Sequence, residues 1–162
     1  MENFGRYNGS QNGASPENFK LKWHKFLIWF ALWMGALGNA VNAIGLIGGT
    51  AYVDQSEQIY AAFERLRVID LVWGIVLLGL SAYMIYVRFQ LAGFRIDAPK
   101  KLSILYVANL VCSLGYLLAV SSVTHLSLRT IMSEITVTLI GSILMLFINQ
   151  NYYNKRLELF VN

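Results

Sequence analysis

The sequence predicts an all-α, polytopic integral membrane protein with four transmembrane helices in an up-down bundle. Of its 162 residues, 56% are hydrophobic and 14% charged, and the mean hydropathy is +0.50. A soluble domain has an apolar share of about 45–50%. Charge-free runs cover Phe26 to Ala51, Leu71 to Val87, Leu102 to Leu128 and Ile135 to Asn154, and a spanning helix needs about 20 mainly apolar residues. Within the first run, small residues recur at alternating steps of four and three: Ala31, Gly35, Gly38, Asn42, Gly45 and Gly49. That spacing gathers them on one helix face, with Trp29, Trp33, Leu37 and Ile44 on the other.

Residues 1–19 are rich in Gly, Asn, Ser and Gln and poor in apolar side chains, so a disordered tail is expected ahead of a membrane domain at 20–156. The first span, about 24–49, follows Lys20, Lys22 and Lys25. It is longer and begins later than the apolar core of a signal peptide, and it reads as an uncleaved helix. Its glycines would each weaken a helix in water by about 1 kcal/mol, but in lipid they let two backbones approach closely. Asp54 and Glu57 are spaced as a capping pair, and no Gly or Pro lies between Ser56 and Trp73. A helix starting near Gln55 is therefore expected to run unbroken into the second span, about 68–89.

Gly93 and Pro99 mark a tight connection, with Asp97 placed to cap the third span, about 101–124. That span repeats the opening pattern in Ala108, Cys112, Gly115, Ala119 and Ser122. The fourth, about 133–154, opens with Glu134 and ends with Asn149, Gln150 and Asn151, before a short tail at 157–162. Spans two and four each open with an acid and close with aromatic and then basic residues, which suggests two tandem helical hairpins. Spacing of 3.5 residues predicts left-handed packing, with both small-residue stripes against neighbouring helices of the same chain. A homodimer or larger membrane complex is the other way to cover them.

Lys and Arg fix the orientation. Arg6, Lys20, Lys22, Lys25, Arg88, Arg95, Lys100, Lys101, Lys155 and Arg156 fall on one side, against Arg65, Arg67 and Arg129 on the other. The positive-inside rule then puts both termini in the cytoplasm. Short loops suggest a plasma membrane, a bacterial one, and the basic edge suggests contact with anionic lipid headgroups. Clustering beside spans, rather than along a soluble face, argues against nucleic acid. Trp23, Phe89, Phe94, Tyr152 and Tyr153 are expected in an interfacial belt on the basic side, with Tyr52 and Tyr60 at the other side.

The candidate polar or solute site comprises Asn39, Asn42, Asp70, Arg67, Asn109 and Tyr116. Asn39 and Asn42 lie mid-span, where an unpaired amide costs several kcal/mol. Asn109, Ser113 and Tyr116 on the third span are the expected partners. Asp70 shares a face with Gly74, Ser81 and Arg88, and Glu64, Arg67 and Asp70 form a ladder of opposite charges expected to lie within reach of water at the interface.

No catalytic residue, cofactor or metal site is assigned. Cys112 stands alone, His24 and His125 fall on opposite sides, the membrane serines lack a histidine base, and no phosphate-binding glycine loop occurs. The expected function is a non-catalytic membrane protein, an accessory or scaffold subunit that assembles through small-residue packing. The alternative is a small oligomeric transporter or channel for an ion or small polar solute.

Overall fold

The computed structural model describes residues 21–124 and 128–160, and every regular element among them is helical. The tail expected at 1–19 and His125 lie outside the described residues. Helix α1 spans Lys22–Gly48. A 3-10 turn at Val53–Gln55 leads into α2, Ser56–Ala62, and then come α3, Glu64–Ala92, α4, Ala98–Thr124, and α5, Leu128–Asn154. A last 3-10 turn covers Leu157–Leu159. Helices α1, α3 and α4 are long and apolar enough to cross a membrane, and three such helices suggest membrane insertion.

Helix α1 contains a π turn at Leu27–Ala31. Widening of this kind disturbs the regular backbone ladder, and Arg88 Nε donates to the Ile28 carbonyl at 3.3 Å. The guanidinium also lies over the rings of Trp29, Trp33 and Phe89 at 4.7–5.4 Å. Arg88, counted above among residues of the basic edge, is thus tied into the fold. Gly49 ends α1 at φ +74°, with Gly49 N–H bonding Leu46 O at 3.2 Å and Thr50 N–H bonding Gly45 O at 2.9 Å. This is a Schellman cap, which glycine adopts without steric cost. Gly49 is therefore a helix stop, and a Cβ there would also lie 3.1 Å from the Arg67 guanidinium.

The unbroken helix expected from Gln55 onward is interrupted at Phe63, φ −134° and ψ 74°. Ten residues of continuous helix would hold Tyr60 and Asp70 about 15 Å apart. The break folds α2 back instead, and the Tyr60 hydroxyl reaches Asp70 at 2.8 Å.

Helix α1 packs chiefly on α3, α3 also on α4, and α4 on α5. The α3 face that meets α1 is the one bearing Asp70, Gly74, Ser81 and Arg88. A Cβ on Gly74 would lie 2.6 Å from Ile47 Cγ1 and 3.0 Å from Ala43 O, and Ser81 Oγ donates to Ala36 O at 2.7 Å. Over Leu32–Gly48 of α1 the buried positions are Leu32, Ala36, Ala43 and Leu46, one residue beyond the small stripe and so turned by roughly 100° from it. Along the expected packing line, a Cβ on Gly38 would meet nothing within 4 Å, one on Gly45 only Ala51 Cα at 3.8 Å, and one on Gly35 the flexible end of Met84. The α4 stripe does meet a neighbour: a Cβ on Gly115 would lie 3.0 Å from the Trp73 ring, and Trp73 Nε1 donates to Cys112 O.

The apolar core gathers at one end, where Leu27, Val87, Leu91, Leu102, Leu105 and Tyr153 are buried together. Leu159 and Phe160 pack into it, so part of the segment expected as a tail closes this end. Asn149 is 1% exposed and accepts from Trp23 Nε1 at 2.9 Å, and Tyr153 is 2% exposed. Both were expected at an interface. Tyr153 is covered by Phe160 as the chain after α5 turns back, and Asn149 is held between Trp23 and the Met145 carbonyl.

Candidate functional site

Away from that core, α1 and α4 separate and leave a cleft of about 740 Å³. Asn39, Asn42, Asn109 and Tyr116 line it, with Thr50, Cys112 and Ser113 as further polar groups and Val41, Ile44, Trp73, Leu77 and Leu139 as apolar walls. Four of the six candidate polar residues thereby face one space. Asn39 Nδ2 donates to Asn109 Oδ1 at 3.3 Å, and Asn109 Nδ2 returns to Leu105 O at 3.0 Å. Asn42 is exposed along this opening.

Asp70 and Arg67 stand outside the cleft wall. Asp70 is completely buried, contrary to the expectation that water reaches it. Tyr60 donates to Oδ2 and Tyr116 to Oδ1, each at 2.8 Å. The Tyr116 proton is committed to the carboxylate, so the contact of 3.4 Å with Tyr52 has Tyr52 as donor. Two hydroxyl donors make up much of the hydration this buried carboxylate loses, because charge-assisted hydrogen bonds are about twice as strong as neutral ones. Arg67 does not complete the predicted ladder. Its guanidinium donates to Leu46 O at 2.8 Å and Ile47 O at 2.7 Å, neutralising the negative end of α1, and lies over the Tyr60 ring at 5.4 Å.

The outer tyrosines feel this arrangement. Burial raises the Tyr60 phenol, with the hydrogen bond to Asp70 and its negative charge adding to the effect, up to about 12. Burial also raises Tyr52, while its contact with Tyr116 pulls the other way. Tyr60 and Arg67 line a second, shallower pocket of about 490 Å³ with Asp54 and Glu57. Asp70 is thus reached from two sides through tyrosine hydroxyls, from the outer pocket through Tyr60 and from the cleft through Tyr116.

Comparison with protein-family models, curated protein sequences and solved structures gives no match. The chemistry of the site is therefore read from its own residues. No group of three or more His, Cys, Asp or Glu able to hold a metal occurs among the described residues. The cleft walls offer hydrogen bonds, aromatic faces and apolar contact.

Trp73 and Tyr60 were absent from the sequence-derived site. Nothing in residues 56–73 signals the break at Phe63, and Trp73 is indistinguishable from a lipid-facing tryptophan until α4 is placed beside it.

Proposed function

We propose that the chain is a non-catalytic multi-pass membrane protein that holds a small polar or amphiphilic solute in the cleft between α1 and α4, as a subunit of a small oligomeric transporter or channel. The observation that carries this reading is the convergence of Asn39, Asn42, Asn109 and Tyr116 on one opening of ligand size, since binding sites of about 300–1,000 Å³ with a few convergent polar groups are the usual form. In this reading α5 is the fourth span of an up-down bundle. Its 27 residues extend about 40 Å, more than the hydrocarbon core of about 30 Å. Both termini are cytoplasmic, the membrane is a bacterial plasma membrane, and the basic edge meets anionic headgroups.

An accessory or scaffold role is the second reading, favoured by the open space in front of Gly38, which suits a helix of another copy or a membrane partner. Reconstituted liposomes separate the two. Solute flux or retention abolished by Asn42→Leu but kept in Gly38→Leu supports the cleft. Loss of assembly in Gly38→Leu, with no solute effect of Asn42→Leu, supports the scaffold.

A further inference from the structure

We propose that the cleft selects an amphiphilic amine in its ammonium form, with Tyr116 as the contact and Asp70 as the charge behind it; this rests on the cleft being a solute site. All the described residues lining the cleft are uncharged. The acidic group bonded to its wall is Asp70, whose Oδ1 accepts the Tyr116 proton at 2.8 Å. A phenol that donates to a carboxylate has its own oxygen enriched in electron density, because hydrogen bonds in a chain polarise one another. That oxygen belongs to a cleft-lining residue. An ammonium entering the cleft donates to it in place of the long 3.4 Å contact from Tyr52, giving a relay of N–H to Tyr116 oxygen and Tyr116 O–H to Asp70, with no proton transferred.

The remaining walls suit the same ligand. Trp73 and Tyr116 have ring centroids 5.9 Å apart, and aromatic faces attract cations most strongly where water is excluded. Asn39 and Asn109 add amide oxygens, while Val41, Ile44 and Leu77 take an apolar body. Arg67, the cation close to this cluster, is turned away: its two nitrogens are held by Leu46 O and Ile47 O, on the Tyr60 side of Asp70. An anion would face the Asp70 charge with no cation in the wall to meet it.

The test uses three probes with one skeleton, naphthylethylammonium, neutral naphthylethanol and anionic naphthylacetate, in equilibrium dialysis against the full chain in nanodiscs, with lipid-only discs subtracted. The native chain is expected to bind the ammonium about tenfold more tightly than the alcohol, and the anion least, the size of preference that a desolvated cation–π contact with a charge-assisted hydrogen bond supplies. Asp70→Asn is expected to bring ammonium and alcohol within about twofold of each other. Tyr116→Phe keeps the ring, removes the relay and is expected to lose most of the preference, so it serves if Asp70→Asn does not fold. Equal binding of ammonium and alcohol by the native chain overturns the amine assignment while leaving the cleft a solute site. A preference that survives in folded Asp70→Asn and Tyr116→Phe overturns it as well. Binding of no probe above the lipid control overturns both this inference and the solute reading.

Discussion

A carboxylate removed from water costs several kcal/mol unless hydrogen bonds or charge make up the loss. For Asp70, completely buried, the hydroxyls of Tyr60 and Tyr116 do so at 2.8 Å each. Removing one donor leaves a buried acceptor unsatisfied, so Tyr116→Phe is expected to destabilise the fold by about 1–3 kcal/mol, read as a lowered thermal midpoint in nanodiscs. An unchanged midpoint contradicts the assigned bond. Tyr60 carries a pH signature. Its phenol, raised to about 12 in the fold, ionises near 10 when unfolded, so the folded state holds that proton more tightly. Its contribution to stability is complete below about pH 10 and is lost as pH rises toward 12. The decline in stability over that window should be shallower in Tyr60→Phe than in the native chain.

Much of this cluster was legible at the level of single residues. Asn39, Asn42, Asn109, Asp70 and Tyr116 stand out because polar groups in apolar runs need partners. The accessibility of Asp70 was not legible, because its burial depends on Tyr60, and Tyr60 reaches it only through the break at Phe63.

At the scale of elements, the α1 and α3 contact is set by residues of two kinds. Gly74 admits Ile47 and the Ala43 carbonyl, while Ser81 and Arg88 satisfy carbonyls of α1. A Cβ at position 74 must displace backbone as well as side chain, so Gly74→Ala is expected to cost about 1–3 kcal/mol, the usual range for overpacking. Gly38→Ala, facing open space, should leave the folded monomer as stable as before or slightly more so, since alanine is the better helix former. Thermal unfolding of both variants checks the order, and the reverse order contradicts the assigned face.

The small-residue line of α1 is thus not the one that meets α3 within the chain. Periodicity identifies which residues share a face but not which neighbour that face meets. The buried line through Ala36 and Ala43 contains small residues too, and the polar face of α3 was itself visible in Asp70, Gly74, Ser81 and Arg88. Arg67 adds a further test at the end of α1. Replacing it with methionine removes two charge-assisted bonds to Leu46 O and Ile47 O, each worth about 1.5–3 kcal/mol. Faster amide exchange is expected over residues 46–50, with the Leu27 to Leu32 segment unaffected.

Over the whole molecule, the two ends differ. At one end, the π turn of α1, the end of α3, the start of α4 and the residues following α5 close around Leu27, Leu91, Leu102 and Phe160. Toward the other, α1 and α4 part around the cleft, and the tyrosine and Asp70 cluster stands beside it. Composition and charge-free runs made the helical class readable at once. The asymmetry was not readable, because it arises from where the chain turns back at Phe63 and at Lys155 and Arg156, and none of these positions carries Gly or Pro. One closed and one open end leave a ligand-sized space between long apolar helices.

Water access at Asn42 tests this arrangement most directly. A nitroxide attached at Asn42→Cys in a Cys112→Ala background, with the chain in bilayers, should be relaxed by a water-soluble paramagnetic agent far more than one at Val111→Cys, which is exposed on α4 away from the cleft lining. If both labels respond only to oxygen dissolved in the lipid, no polar cleft reaches Asn42 and the account of the site is wrong.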